Sequence, residues 1–254
     1  MTFSSKDACR YIATQAAAFG GRAYYVGGCV RDSLLGIKSK DTDVEIFGLN
    51  PGQIEEILSK KFRFEAVGKS FGVWILKGLD IDVSMPRKER KNGLGHKSFD
   101  IIGDPYLSPK EACSRRDFTI NAMLRDILSG EITDPFDGQK DLAGKIIRHT
   151  SDKFAEDPLR VLRAMQFAAR FDFEVAPQTV ELCSKIPMEN LPKERIFQEF
   201  KKLILKGKKI SRGLAFLRDC KWVKYFPELS AMVGCPQDPV WHPEGDVYTH
   251  TMLC

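Results

Sequence analysis

Two short acidic patterns in the first third of the chain could hold metal ions. Asp41-Thr42-Asp43 opens an apolar alternation, and residues 80–83 read Asp-Ile-Asp-Val. In a β-strand, residues two positions apart project from the same face, so each pattern places two carboxylates side by side. Like charges this close are costly unless a cation lies between them. Because carboxylates are the ligands that hard cations prefer, the patterns predict a Mg²⁺ site.

This carboxylate geometry suits a pair of Mg²⁺ ions about 4 Å apart, one activating an attacking oxygen and the other steadying a leaving phosphate. We assign Asp41 and Asp43 as the metal ligands. Asp82 is the third catalytic carboxylate, because it lies deeper in its strand than Asp80. The alternative interpretation of the 80–83 pattern is a solvated strand edge.

A glycine turn precedes the first acidic pattern. Gly27-Gly28 follows a short apolar run and is followed by a helix-like segment that contains Arg31. Glycines let backbone N–H groups approach a phosphate closely, and a helix N-terminus adds the positive end of its dipole. The guanidinium of Arg31 can contact the same phosphates with two parallel hydrogen bonds. We therefore predict that Gly28 and Arg31 bind a triphosphate; the alternative is a purely structural turn.

The elements that must position these residues follow from the hydrophobic pattern. Up to residue 150, helical and strand-like segments alternate, and strands dominate. Residues 87–97 are basic, contain glycine and show no periodicity, which predicts a mobile loop. From residue 152 onward the pattern is helical only. We predict an α+β fold with three domains: a β-rich head over 1–150, a helical neck and body over 151–230, and the start of a further domain over 231–254.

Composition limits the classes of protein that this chain can belong to. Its formal net charge of +5 is compatible with a polyanionic partner. Seven scattered cysteines with no C-x-x-C pair favour reduced thiols over a disulfide framework or a zinc site. No apolar run is long enough for a membrane span, and the N-terminus lacks the signal-peptide pattern. We expect a soluble, cytoplasmic protein with no membrane partner.

Several motifs resemble one known family when they are taken in order. YVGGCVRDSLLG and KDTDVEIFG resemble the nucleotidyltransferase head shared by bacterial tRNA CCA-adding enzymes and their poly(A) polymerase relatives, within the DNA polymerase beta superfamily. SRRDFTINAM at 114–123, DPFDG at 134–138 and EDPLRVLRAMQFAARF at 156–171 resemble further motifs of that family. AVGKSFGVW at 66–74 resembles the CCA-adding branch.

The resemblance implies a DNA-polymerase-beta-like head and a template-independent reaction. CMP and AMP, from CTP and ATP, would be added to the 3′ end of tRNA with release of pyrophosphate. Within the second motif, Arg116 is the expected triphosphate contact, and Asp117 and Asn121 orient the sugar and the site. Arg115 is either a second phosphate ligand or an exposed side chain.

The motif at 156–171 resembles the family's nucleotide-recognition helix, and chemistry supports that role. Asp157, Arg160 and Arg163 recur every third residue and share one flank, whereas Leu159, Leu162, Met165 and Ala169 line the buried side. An arginine donor beside an aspartate acceptor matches the edges of cytosine and adenine, which present an amine beside a ring nitrogen. Guanine and uracil reverse that order, so buried groups would be left unpaired. The alternative is a solvated charged flank.

Two segments extend the resemblance. A flexible segment at the position of 87–97 helps to reorganise the pocket between nucleotides in the family, which speaks against an enzyme that adds only two cytidines. WHPEGDVYTHTMLC at 241–254 resembles the opening of an HD phosphohydrolase domain, in which His250 would be the first metal-binding histidine. Because the sequence stops four residues later, we expect a fragment of a longer protein and no working HD site.

Other functions remain open at the level of sequence. Within the class, the chain could be an A-only adding enzyme or a poly(A) polymerase. Outside it, the chain could transfer nucleotides to an acceptor other than RNA, or it could be an inactive RNA-binding fragment. The number of nucleotides added, the termination mechanism and the oligomeric state are not determined by these patterns.

Overall fold

The structure is a computed structural model that describes residues 4–39, 41–67, 72–91 and 99–254. Two compact units divide the chain at residues 140 and 141. The first unit therefore ends about ten residues before the predicted boundary at 150, and residues 231–254 fall within the second unit. The three-domain division remains a prediction.

Strands outnumber helices in the described part of the first unit, as the sequence predicts. Its helices are α1 (Ser5–Ala18), α2 (Gly28–Leu34), α3 (Pro51–Ser59) and α4 (Pro109–Ser114), with a 3₁₀ turn at Thr119–Asn121, and the division between the units falls within α5 (Gly138–Ala143). Its strands are β1 (Arg22–Val26), β2 (Thr42–Phe47), β3 (Phe64–Val67), β4 (Val73–Leu76), β5 (Ile81–Ser84), β6 (Arg87–Lys91), β7 (Phe99–Gly103), β8 (Leu124–Asp126) and β9 (Ile132–Thr133).

Seven of these strands form one sheet in the order β3-β4-β5-β2-β1-β8-β9. Strands β2 and β5 pair in parallel, and the other described pairs of this sheet are antiparallel. Strand β2 is therefore central, between β5 and β1. The order explains how two acidic patterns that are distant in the sequence come to lie on adjacent strands.

Local patterns account for the helices that cover one face of the sheet. Helix α1 begins after Ser4, whose hydroxyl accepts the Asp7 N–H at 3.2 Å, and α3 begins with a capping box between Asn50 and Gln53. The inner faces of these helices pack with alternate residues of β2 in one apolar core. Its fully buried members include Ala8, Ile12, Ala16, Val44, Ile46, Ile54 and Leu58.

The loop predicted for residues 87–97 is wrong over its first five residues. Arg87–Lys91 forms β6 and pairs antiparallel with β7 in a separate two-stranded sheet. A two-stranded ribbon satisfies its backbone groups by pairing, without the apolar alternation that marks a strand packed on a core. The rest of the predicted loop lies outside the described residues.

The second unit is helical apart from one short parallel pair. Strands β10 (Ile146–Ile147) and β11 (Glu174–Val175) form that pair. The helices are α6 (Leu159–Phe171), α7 (Pro177–Lys185), α8 (Lys193–Lys206), α9 (Ile210–Asp219), α10 (Pro227–Met232) and α11 (Val247–Leu253), with 3₁₀ turns at Asp152–Glu156 and Trp222–Tyr225. Within the described part of the chain, none of the helices combines the length and apolarity that crossing a membrane requires.

Candidate active site

The parallel pairing of β2 and β5 brings the two acidic patterns together. Asp43 lies directly opposite Asp82 in the register of this pair. Asp41 immediately precedes β2, and all three aspartates are exposed. Asp80 precedes β5, and its carbonyl oxygen accepts the Thr42 N–H at 2.9 Å. The register places Asp82 beside the first acidic pattern, and the choice of Asp82 over Asp80 remains a prediction.

The charges of the three carboxylates act on one another's pKa values. The pKa of Asp43 is raised because protein atoms shield its carboxylate from water; Arg116 opposes this effect, and the charges of Asp82 and Asp41 reinforce it. The pKa of Asp82 is also raised, by shielding and then by Asp41. The fold therefore holds like charges together, which is the situation that a bound cation relieves.

The donor set fits a hard divalent cation because it consists of carboxylate oxygens that are open to solvent. The three carboxylates do not form a tight triad: in the described part of the chain, the single group of three potential ligand atoms within 4.8 Å of one another is His242, Glu244 and His250. The two-ion arrangement of these ligands remains a prediction.

Gly27 closes one side of this site, although sequence reasoning selected its neighbour Gly28. Gly27 has φ +70°, a left-handed conformation that favours glycine. A Cβ atom there would lie 3.1 Å from Arg116 Nη1 and 3.8 Å from Asp43 Oδ2. A Cβ at Gly28 would instead lie 3.3 Å from Arg31 Nη2. The double glycine thus lets the backbone approach both predicted phosphate-binding arginines. The sequence feature that points to Gly27 is its position directly after β1.

Arg31, Asn121 and Asp117, which are all predicted site residues, form one buried network. Arg31 donates from Nε and Nη2 to Asp32 Oδ1, at 2.8 and 2.6 Å, and from Nη1 to Asn121 Oδ1 at 2.6 Å. Asn121 Nδ2 donates to Asp117 Oδ1 at 3.0 Å, and the same oxygen accepts the Phe118 N–H. Asp32 was not predicted. Since the Arg31 fork contacts protein groups, its direct contact with phosphates remains a prediction.

Glu45 is a second residue that sequence reasoning missed. It is completely buried, and its carboxylate contacts both Arg115 Nη2 at 3.1 Å and Arg116 Nη2 at 3.4 Å. Arg115 is therefore not the exposed side chain that one alternative proposed, because only 14% of its side chain is accessible. The visible signal was the acidic spacing itself, since Glu45 continues the alternation of Asp41 and Asp43.

In the second unit, Asp157 lies before the recognition helix and not within it, contrary to the prediction. Helix α6 begins at Leu159, and Asp157 Oδ1 accepts the Leu159 N–H at 3.0 Å. Aspartate favours this capping position because its side chain satisfies an N–H group that has no partner inside the helix. Asp157 Oδ2 accepts a hydrogen bond from Arg195 Nη2 of α8 at 2.9 Å, a contact that the sequence did not reveal.

The arginines of α6 follow the predicted spacing. Arg160 and Arg163 are both partly accessible, and Leu159, Leu162, Met165 and Ala169 are buried, which confirms the predicted inner side of the helix. Arg160 Nη1 donates to the carbonyl of Lys153 at 2.6 Å. The Arg163 guanidinium lies 5.2 Å from the centre of the Phe167 ring, a cation–π distance. Base recognition by this set remains a prediction.

The segment that resembles an HD domain places its histidines together. Glu244 Oε1 lies 3.2 Å from His242 Nδ1 and 2.5 Å from His250 Nδ1. The pKa of Glu244 is lowered to about 2, first by a backbone hydrogen bond and then by His250. His250 is thus held by a carboxylate in this structure, and its role as a metal ligand remains a prediction.

Comparison with known proteins decides the family. The family model described as the poly A polymerase head domain matches residues 23–148, and the model for the probable RNA- and SrmB-binding site of polymerase A matches residues 172–232. The chain belongs to the poly(A) polymerase and CCA-adding nucleotidyltransferase family. Members of this family generally use a divalent metal ion. The first matched range contains the acidic residues, and the second begins directly after α6.

Two curated relatives of the chain are both named multifunctional CCA protein. The multifunctional CCA protein of Cupriavidus metallidurans is 41% identical over 243 residues, which are 91% of this chain and 57% of the relative. That of Burkholderia cenocepacia is 40% identical over 241 residues, again 91% and 57%. The chain thus spans a little over half the length of the curated relatives it matches.

Solved structures of the family share the fold. The Bacillus stearothermophilus CCA-adding enzyme in complex with CTP has a TM-score of 0.69 and 30% identity, covering 85% of this chain and 52% of that one. The Thermotoga maritima CCA-adding enzyme complexed with tRNA has a TM-score of 0.70 and 28% identity, covering 92% and 53%. These neighbours confirm the predicted α+β nucleotidyltransferase head and helical body.

Proposed function

We propose that this chain adds CMP and AMP, from CTP and ATP, to the 3′ end of tRNA without a template and releases pyrophosphate. The observation that carries the proposal is the register of Asp43 opposite Asp82, with Asp41 beside them and Arg116 at the same glycine turn. The relatives named for CCA addition, and the related structures in complex with CTP, ATP and tRNA, support this choice of substrates.

The reaction forms one bond and breaks one. The 3′-hydroxyl oxygen of the RNA attacks the α-phosphorus of the nucleotide, the bond from that phosphorus to the bridging oxygen breaks, and pyrophosphate leaves as the hydroxyl proton is released. Asp41 and Asp43, with Asp82, would hold Mg²⁺. When bound, Mg²⁺ neutralises the charge that develops on the phosphate oxygens.

The residues of the chain contribute mainly by positioning. Gly27 and Gly28 keep the turn free of side chains, which leaves room for phosphate groups. Arg116 supplies positive charge at that turn. Burial lowers the pKa of its guanidinium, but Glu45 and other nearby acidic groups outweigh this effect, so the pKa is raised overall. Arg116 therefore stays charged at every pH at which the enzyme works.

Selection of the base is assigned to Asp157, Arg160 and Arg163 of the second unit. The two oxygens of Asp157 accept from Leu159 N and Arg195 Nη2, which orders the carboxylate just before the helix. Arg160 Nη1 donates to the Lys153 carbonyl at 2.6 Å, which orders this guanidinium at the start of the helix. This acceptor and donor pair favours cytosine and adenine over uracil and guanine.

The test uses three tRNA transcripts, which end before the first C, after the second C, or with the complete CCA sequence. Each transcript is incubated with Mg²⁺ and each labelled nucleoside triphosphate in turn. We expect CMP on the first transcript, AMP on the second and no net addition to the third. Addition of AMP alone would instead indicate an A-adding enzyme, and long A tails a poly(A) polymerase.

A complete lack of RNA product would contradict the proposal and favour a non-RNA acceptor or an inactive fragment. Omission of Mg²⁺, with EDTA present, is the control for the metal requirement. The cytoplasm as the location of the reaction stays a prediction, which rests on the odd number of scattered cysteines.

A further inference from the structure

Glu45 differs from the two acids with which it alternates. Asp41 and Asp43 are exposed, whereas Glu45 has no accessible surface. It lies in the central strand of the sheet, opposite Tyr24 of β1 and Ser84 of β5. A carboxylate buried at such a position is costly unless protein groups balance its charge. Glu45 is therefore unsuited to hold a surface cation, and its partners indicate another role.

Two consecutive arginines each contact one oxygen of the Glu45 carboxylate. Arg115 Nη2 lies 3.1 Å from Oε1, and Arg116 Nη2 lies 3.4 Å from Oε2. These partners are 70 and 71 residues away in the sequence, where α4 ends. Each oxygen thus contacts one guanidinium, which ties the segment after α4 to the centre of the sheet.

The contact determines how Arg116 is oriented. Its guanidinium has one terminal nitrogen, Nη2, on Glu45, and the other, Nη1, lies 3.1 Å from the position that a Cβ on Gly27 would occupy. Its Nε is buried and has no hydrogen-bond partner among the described residues. Because a guanidinium is rigid and planar, fixing Nη2 also fixes the direction of Nη1.

We propose that Glu45 is a positioning residue that, by holding Nη2 of Arg116, directs Nη1 toward the glycine turn where the triphosphate binds. The inference rests on the proposed function, in which Arg116 contacts the triphosphate. A merely structural carboxylate would affect folding and leave the affinity for phosphates unchanged. A positioning carboxylate affects the affinity for the triphosphate more than that for a nucleoside monophosphate.

The first experiment compares CTP with CMP on the full chain carrying Glu45→Gln. Glutamine keeps the shape and an acceptor oxygen but removes the charge that orients the arginine. We expect the dissociation constant of CTP, measured by calorimetry with Mg²⁺, to rise about tenfold, as for the loss of one charge-assisted hydrogen bond. The dissociation constant of CMP should stay within about twofold. Wild-type affinity for CTP in a folded variant would overturn the proposal.

A matched control is Glu65→Gln in β3, which removes an exposed carboxylate that pairs with Lys77. This control should bind both nucleotides as the wild type does. Circular dichroism and thermal melting establish that each variant is folded. If Glu45→Gln does not fold, Glu45→Asp keeps the charge but withdraws it by one methylene group. A folded Glu45→Asp protein with unchanged CTP affinity would also overturn the proposal.

A double-mutant cycle asks whether Glu45 acts through Arg116. Arg116→Gln should itself weaken CTP binding, and adding Glu45→Gln should then change the dissociation constant by less than about twofold. The double variant removes both members of the Glu45–Arg116 pair but leaves Arg115 beside the neutral glutamine side chain at position 45, so its folding is checked by circular dichroism and thermal melting as for the single variants. Independent losses that multiply would show that Glu45 acts by another route.

Failure of the inference can be separated from failure of the proposed function, because binding is measured without RNA. A wild-type protein that binds CTP but extends no tRNA would contradict the function, and the ratio of the CTP affinities would still decide the role of Glu45. A wild-type protein that binds CTP no more tightly than CMP would overturn the positioning role.

Discussion

The acidic residues of the first unit and the predicted recognition residues of the second are held in place by different physical means. Asp43 and Asp82 take their positions from the backbone register of two parallel strands in the middle of a sheet. Asp157 and Arg160 are placed at the start of one helix, and their side chains are oriented by further contacts with Arg195 and with the Lys153 carbonyl.

The difference teaches how each site should respond to substitution. Register cannot slip by one residue without turning every side chain of the strand to the other face, so the acids are placed in an all-or-none way. Side-chain contacts at a helix end can be lost one at a time, and the remaining contacts persist. We therefore expect large effects from the acids of the sheet and graded effects from the recognition residues.

The largest expected effect is that of Asp43→Ala. Losing a carboxylate at the centre of the acidic site should lower the rate of nucleotide addition by about a thousandfold or more, because the site loses a ligand for the Mg²⁺ that would neutralise the reacting phosphates. Single-turnover addition of labelled CMP to a tRNA transcript measures the rate. Asp80→Ala, in the other exposed position of the second acidic pattern, is the matched control. An active Asp43→Ala protein would refute the metal assignment.

Substitutions in the recognition set should change base choice without abolishing transfer. Arg160→Ala or Asp157→Ala should reduce the preference for CTP over UTP by about 10- to 100-fold, the range for one or two specific hydrogen bonds. Competition between the two labelled nucleotides measures this preference. Arg170→Ala, which removes an arginine of the same helix that lies over Phe171, should leave the preference unchanged. A loss of all transfer in the recognition variants would remove the distinction between the two regions.

A smaller effect is expected from the partner of Asp157. Arg195→Gln removes the ion pair that orients this carboxylate, and because the pair is partly exposed, the preference for CTP over UTP should fall only about threefold. The same competition assay applies. Lys202→Gln, which removes another ion-paired cation of α8, is the control. If Arg195→Gln matches the effect of Asp157→Ala, the carboxylate depends wholly on this one partner.

The smallest expected effect is on stability. Neutralising Asp43 should stabilise the fold, although it should lower the activity. The pKa of Asp43 is raised in the folded protein above its ordinary value of 3.8, so the charged form destabilises the fold. This penalty is present above the folded-state pKa and disappears as the pH falls below the ordinary value. In metal-free buffer at neutral pH, Asp43→Asn should raise the melting temperature by about 1–2 °C.

The gain should vanish near pH 3.5, about where an unperturbed aspartate is mostly protonated. Asp80→Asn, an exposed residue before β5, is the control. A lower melting temperature for Asp43→Asn at neutral pH would contradict the picture of like charges held together without a cation.

Much of the fold could be predicted from local patterns. The strand predicted around Val44 is confirmed, although both of its faces are buried from Val44 to Phe47, and the predicted inner face of the helix over 159–171 is confirmed because periodicity reflects which side chains face an apolar core. The predicted recognition helix begins at Leu159 and not within residues 156–158, because Asp157 and Pro158 can either begin a helix or precede it. The sequence pattern predicts a loop for Arg87–Lys91 because the strand there consists only of charged residues.

The sequence by itself determined the residue types of the acidic site, the glycine turn and the inner face of the recognition helix, because each depends on neighbours within a few positions. Only the tertiary structure decided that Asp43 faces Asp82, that Glu45 contacts Arg115 and Arg116 across 70 residues, and that Arg195 holds Asp157. These contacts depend on which strands and helices pack together. Strand order and helix packing minimise the free energy of the whole chain, and no local pattern encodes them alone.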